Sequence, residues 1–268
     1  MRLSVSHKTH YKFDQPMRSV TQSLRLWPSP FEGQAVIDWN VEIAGAVRGA
    51  SFRTGAGDWI ETSTVHGPVS EVVVEVTGTV ETIDLSGVLK GHRERTPAEA
   101  YLRHTRFTRA DAALKALAEE ATTEDASPLE NAHALANAVR DAITYTPGET
   151  DTTTTAAEAL DAGHGVCQDH AHALIAAALT LDIPARYVVG YLHATGSIAE
   201  ASHAWAELWV EGLGWVGFDP ANGVSPDENY IRIGSGLDAV DAALIRGVAS
   251  GAGTEALEID VQVSEAAQ

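Results

Sequence analysis

Residues 163 to 181 read Gly-His-Gly-Val-Cys-Gln-Asp-His-Ala-His-Ala-Leu-Ile-Ala-Ala-Ala-Leu-Thr-Leu, and they contain Cys167, the sole cysteine of the chain. Cys167, Ala171, Leu174, Ala178 and Leu181 recur at intervals of four, three, four and three, which is one stripe of an α-helix. Gly163 and Gly165 make a flexible entry. Cys167 therefore heads the inward face at the first helical turn, where backbone N–H groups lack intrahelical partners. A thiolate there gains from those donors and from the positive end of the helix dipole. The competing reading is a buried structural cysteine, since free Cys is among the most buried residue types. A reactive one needs a base from elsewhere in the chain.

Downstream of this helix Pro184 enforces a stop. Residues 186–192 read as a buried strand, 195–197 as a loop, and 202–210 as a strand with His203 at its start. A turn at Glu211-Gly212-Leu213-Gly214 leads to a strand over 215–218, which Asp219-Pro220 ends. The tail from Ala221 reads as loop, a weak helix over 237–246, a Gly-rich stretch at 250–253 and a last alternating strand over 257–263. Upstream, 111–121 reads as a helix. Ser127-Pro128-Leu129-Glu130 is a capping box with proline at the first helical position, and Thr155-Ala156-Ala157-Glu158 caps a shorter helix. Before residue 95 the pattern is β, with runs at 3–7, 23–27, 35–43, 59–65 and 71–82. Turn signals at Pro28-Ser29-Pro30, Gly55-Ala56-Gly57-Asp58 and His66-Gly67-Pro68 separate them. Such spacing predicts a sandwich or small barrel. His7 and His10 flank a strand face and are expected to pack. The expected division is an all-β unit over 1–95 and an α+β unit over 96–268.

Lys and Arg total 18 against 37 Asp and Glu, a net charge of −19 over 268 residues. That balance argues against nucleic-acid or anionic-membrane partners, which need clustered cations. One cysteine makes no internal disulfide. The N-terminus lacks a continuous apolar segment of the signal-peptide kind, and no run approaches the roughly 20 apolar residues of a membrane span. A cytoplasmic location is the default expectation.

A cysteine nucleophile needs a base that takes its proton and returns it to a leaving group, and a carboxylate that fixes the imidazole helps. After the Cys167 helix the histidines are His193, in a loop, and His203. Asp219 lies one Gly-containing turn beyond His203. A connection over 209–213 would set the two opposite each other. A tight turn at Gly212-Leu213 would stagger them by about three residues, roughly 10 Å. For the oxyanion, the Cys167 N–H is the first candidate donor, with Tyr145, Gln168 and Trp205 as candidates for a second. Trp205 and Trp209 share parity with His203, and Trp209 is expected in the core. A metal site at His164, Cys167, His170 and His172 is the alternative of another class, but His170 and His172 point about 200° apart on a helix. Asp169 sits favourably beside the helix dipole. No Gly-x-Ser-x-Gly, complete dinucleotide loop or Walker motif occurs, no loop has calcium-ligand spacing, and no cofactor is expected.

Four blocks then carry a resemblance. Gly165-Val166-Cys167-Gln168-Asp169-His170-Ala171-His172, 183–191 (Ile-Pro-Ala-Arg-Tyr-Val-Val-Gly-Tyr), His203-Ala204-Trp205-Ala206-Glu207 and Gly214-Trp215-Val216-Gly217-Phe218-Asp219-Pro220 resemble the bacterial transglutaminase-like family of cysteine enzymes. Ser6–Tyr11 and Gln22–Pro28 resemble the β domain that precedes the core in that family. The resemblance implies a papain-like core, with a nucleophile helix packed on an antiparallel sheet, behind an all-β sandwich-like domain. It implies Cys167 as nucleophile, His203 as general base then acid, and Asp219 as the group orienting His203. The implied reaction is acyl transfer through a thioester, with hydrolysis of a peptide or other amide expected. An amine acceptor, as in a transglutaminase, is the alternative. A non-catalytic interaction protein on the same fold is the alternative of another class.

Overall fold

The computed structural model describes residues 1–193 and 202–266; the loop expected over 195–197 lies outside them. Strand β1 (Arg2–Leu24) runs antiparallel to β4 (Trp59–Thr82) along almost its whole length. Both break register between Lys12 and Ser19, opposite Val69 and His66. The turn expected at His66-Gly67-Pro68 is instead this irregularity inside one long strand. Proline has no N–H to give a ladder and is tolerated at a bulge. A Cβ on Gly67 would collide with the Met17 carbonyl oxygen, so glycine permits the close approach. β2 (Gln34–Ile43) pairs with the second half of β4 and β3 (Ala46–Arg53) with its first half. The bend brings the two halves onto one core, in which Val20 and Leu24 meet Val41, Val72, Val74 and Val76. This is the sandwich-like layer the alternation implies. Sequence reasoning missed β3, an exposed edge strand whose residues carry almost no alternation of burial.

Residues 83–111 cross to the second unit, with a short 3-10 turn at Ala98–Tyr101. Helix α1 (Ala112–Ala121) starts at Asp111, whose carboxylate accepts from the Leu114 N–H at 2.9 Å. Helix α2 (Pro128–Ala142) and, after the short strand β5 (Thr144–Tyr145), α3 (Ala156–Ala162) both begin with the expected reciprocal capping boxes, Ser127 with Glu130 and Thr155 with Glu158. The segment read as a flexible entry is partly ordered. Its residues form β6 (His164–Gly165), paired in parallel with β5.

Helix α4 (Cys167–Thr180) is buried from Asp169 to Leu179. Its alanines allow close packing on the sheet of β7 (Ala185–Leu192), β8 (Ser202–Val210), β9 (Gly214–Phe218) and β10 (Tyr230–Gly236). The strand order is β10-β7-β8-β9, all antiparallel. Ala204, Ala206 and Leu208 meet the helix and join one core with Leu174, Ile175 and Val139.

Residues 237–246 do not form the expected helix. Turns there lead into β11 (Ile245–Ser250), which pairs with Ser19–Leu24, and β12 (Glu255–Glu265) pairs with Leu3–Phe13. Asp238 and Asp241 accept N–H groups within this stretch, an alternative to a helix, and Ile245 and Arg246 are drawn into the ladder with Leu24 and Ser23. The chain thus departs from the division at 95/96, because its last two strands belong to the first sheet.

A buried ionic array joins the units. Glu207 on β8 accepts from Arg186 Nε at 2.6 Å and from Arg232 Nε at 2.7 Å. Arg232 reaches Asp58, which also pairs with Arg25 at 3.3 Å. Arg186 is wholly buried and lies 4.0 Å over the Trp215 ring. No helix among the described residues is long and apolar enough to cross a membrane.

Candidate active site

Cys167 is half-buried at the first turn of α4. The turn is held by Asp169, whose buried carboxylate accepts from the Val166 N–H at 2.8 Å and from Thr150 Oγ1 at 2.6 Å. A Cβ on Gly165 would lie 2.7 Å from that of Asp169, so glycine makes room for this cap. The N–H groups of Cys167 and Gln168, as first-turn residues, lack carbonyl partners within the helix. Gln168 lines the cleft beside the thiol.

His203 opens β8, as the pattern predicts. Val210 pairs with Gly214 and Ala206 with Phe218, so Asp219, one step further, stands across from Trp205. The offset from His203 is two residues, between the two registers the sequence leaves open. A diagonal pair of this kind is within reach of a long side chain. His203 Nε2 and Asp219 Oδ2 are 2.6 Å apart. The Cys167 thiol lines the same cleft as the imidazole and helps to favour the protonated ring.

His203 is 5% exposed and Asp219 1%. Burial disfavours the imidazolium, yet the hydrogen bond to Asp219, the neighbouring Cys167 sulfur and the charges of both prevail, raising the His203 pKa from 6.5 to about 10. Burial likewise works against the Asp219 carboxylate, but donors from His203, Asn222 and Tyr230 hold its pKa below the usual range. Asn222 Nδ2 and Tyr230 Oη donate to the same oxygen, Oδ2, each at 2.7 Å. Sequence reasoning missed both. Asn222 had a local signal, since Asp219 to Asn222 is a short turn after a strand; Tyr230 had none.

Trp205 is buried, stacked on His203 with 6.4 Å between centroids and edge-on to Tyr230. Trp209 departs from the expected core position: it is 40% exposed and lies edge-on to Trp215. Tyr145 lies tilted against His170. His193 bonds to the Asn229 backbone and side chain. His170 sits between the carbonyls of Val166 and Ile143, 2.9 Å from each, while His172 packs between Phe107 and Tyr187 and accepts from the Ala239 N–H. Their surroundings are thus separate, and no group of three or more His, Cys, Asp or Glu among the described residues is placed to hold a metal ion. In the first unit His7 is buried against Tyr191 and Thr9, and His10 faces Glu71.

The Transglutaminase-like superfamily matches residues 115–220, and the bacterial transglutaminase-like N-terminal region matches residues 3–81. The chain belongs to the transglutaminase-like superfamily. An uncharacterized protein of Mycobacterium leprae (strain TN) is 30% identical over 280 residues, spanning 99% of each chain. An uncharacterized protein of Mycobacterium tuberculosis (strain ATCC 25618 / H37Rv) is 35% identical over 125 residues, 42% of this chain and 40% of that protein. The crystal structure of a candidate cysteine protease from Cytophaga hutchinsonii superposes with a TM-score of 0.77, covering 100% of this chain and 91% of its own, at 22% identity. That likeness shows the transglutaminase-like fold in both units. Family membership and the intact cysteine together mark a cysteine-dependent enzyme.

Proposed function

We propose that this transglutaminase-like chain cleaves peptide or other amide bonds through a thioester on Cys167, with His203 as base and acid and Asp219 as its orienting group. The observation that carries the reading is the imidazole bonded to the buried Asp219 carboxylate and lining one cleft with the thiol at the start of α4. His203 takes the thiol proton, and the sulfur attacks the carbonyl carbon. The resulting oxyanion faces the free N–H groups of the first helical turn. Collapse expels the amine, which receives its proton from the imidazolium, and leaves the thioester. Water, deprotonated by His203, then attacks the thioester carbon and releases the acid and the thiol. Asp219 orients the ring throughout and stabilises the imidazolium each time it forms. An amine in place of water would give transglutamination by the same two steps.

The test follows alkylation of Cys167, the only thiol, by iodoacetamide from pH 4 to 10. The wild type is expected to react readily below pH 7, and His203→Ala is expected to lose that low-pH reactivity. A thiol inert until unfolding, or a profile unchanged by His203→Ala, refutes the reading. With p-nitrophenyl acetate, intact mass should show one acetyl on Cys167. Adding a primary amine then separates hydrolysis from amine transfer by the product formed.

A further inference from the structure

The Cys167 cleft has a volume of about 470 Å³, and it does not end at the second unit. Its lining includes Leu244, Ile259 and Val261, residues that lie beyond the family's core region. A second cavity of about 230 Å³ continues from it, sharing Ser202, Leu244 and Ile259, and extends over Tyr11 and Leu257. The floor is β1 and the wall is β12, in register: Thr9 faces Ile259 and Tyr11 faces Leu257.

The apolar face of β12 is only half covered. Val261 and Val263 pack into the core between the units with Tyr191, Ile231 and Ile233. The same row of side chains then emerges beside the thiol, where Ile259 is 59% and Leu257 49% exposed. Glu258, bonded to Lys12, and Asp260 lie on the other face of this strand, while Glu255 and Glu265 stand at the two ends of the apolar row, Glu255 near Tyr11. No described residue lining either cavity is Asp, Glu, Lys or Arg, although the chain carries a net charge of −19. The titratable groups in the extension are His7 and Tyr11. Burial lowers the His7 pKa to about 4 and pushes the Tyr11 pKa up to about 12, so both are neutral at pH 7.

This uncharged apolar lane opens into the thiol's own cleft, so a donor whose carbonyl reaches Cys167 can lay a side group along it. We infer that the lane formed by Leu244, Leu257 and Ile259 is the specificity subsite for the acyl donor, and that it selects a donor bearing a bulky, uncharged apolar group. The C-terminal strand of the chain would thus supply substrate selection to a cysteine on the other unit. The inference rests on the reading of Cys167 as nucleophile.

The experiment uses three alkylating probes on the intact protein: iodoacetamide, N-hexyliodoacetamide, and 6-(iodoacetamido)hexanoic acid, which has a tail of similar length ending in a carboxylate. Rates at Cys167 are divided by those with glutathione. The hexyl probe is expected to be about tenfold or more faster than iodoacetamide, and saturable, because its tail leaves water. The carboxylate probe is expected to gain less than about twofold, since a charge is costly to desolvate. Ile259→Asp, and separately Leu257→Asp, should bring the hexyl ratio to within about twofold of one. Both sites are exposed on an edge strand, so folding is retained. Val248→Asp, at a 75% exposed position on β11 outside both cavities, should leave the ratio as in the wild type. A wild-type hexyl ratio near one, a carboxylate probe as fast as the hexyl probe, or a ratio that survives both β12 substitutions overturns the inference with the cysteine reading intact. If plain iodoacetamide does not label the folded protein, the cysteine reading itself has failed and the inference falls with it.

Discussion

Replacing Glu207 by glutamine keeps the shape of the side chain and removes its charge from between Arg186 and Arg232. Burial works to raise the Glu207 pKa, but the two guanidinium groups bring it from 4.5 down to about 2. A depressed folded-state pKa stabilises the fold above the unfolded value, and that stability is lost as pH falls through about 2. At pH 7 the contribution is therefore complete. The gap between 4.5 and about 2, at about 1.36 kcal/mol per pH unit, is about 3 kcal/mol. That matches the roughly 3–5 kcal/mol expected when one partner of a buried pair is removed and the others stay charged. For 268 residues the unfolding entropy is about 0.56 kcal/mol/K, so Glu207→Gln should lower Tm by about 6 °C at pH 7. Calorimetry on wild type and variant at pH 7, with urea melts as a second readout, measures it. A Tm within about 1 °C of the wild type would mean that the array is energetically idle and that the reasoning fails.

Asp219→Asn removes the carboxylate that favours the imidazolium. The His203 titration should move down from about 10 toward its ordinary value, followed by 15N NMR, and turnover should fall by roughly a thousandfold. In the wild type the imidazolium survives until about pH 10, so the basic limb of kcat/KM should lie there and shift downward in Asp219→Asn. Tyr230→Phe takes away one of the three donors to Asp219 Oδ2, and its effect on the same limb should be smaller, a cost of about 1 kcal/mol in kcat/KM. Gly165→Ala sets a Cβ 2.7 Å from that of Asp169 and should cost about 1–3 kcal/mol in a urea melt while slowing alkylation of Cys167. His7 and His172 are held neutral by burial, each with a pKa of about 4. The unfolded chain takes up their protons first, so stability should fall between pH 6.5 and 4. His7→Gln, which keeps partners for Tyr191 and Thr9, should flatten that fall by about 3 kcal/mol.

What the sequence made legible was local. The three helices preceding α4 announce themselves by Asp111, Ser127 and Thr155, because a cap is settled within four residues. The stripe through Cys167 and the start of β8 at His203 are read the same way. Long-range pairing was not legible. Residues 237–246 carry a faint helical pattern, yet its end, Ile245 and Arg246, is drawn into a strand paired with Leu24 and Ser23. Pro68, a turn signal in isolation, is carried through a strand because Met17 and Ser19 on the facing strand break register with it. The Cys, His and Asp of the site came from motif spacing, whereas the offset that joins His203 to Asp219 depends on a turn whose register spacing alone leaves open. Asn222 is marked only by the short turn after Asp219, and nothing in the neighbourhood of Tyr230 marks it, because both matter only once Asp219 is in place.

Because β11 and β12 close the sheet that β1 begins, the cysteine-bearing unit is in effect a long loop inserted into the β unit and clamped at both ends. A fragment starting at residue 96 would carry two strands with no sheet to join. A transplantable core would instead be cut near 83 and 244. The arrangement also fixes an order of events during synthesis. The helices and the sheet bearing His203 can assemble while the chain is still being made, but the wall of the cleft waits for the strand ending at Glu265. On the proposed mechanism, the nascent chain would hold its thiol and imidazole before it holds the surface that selects what they act on.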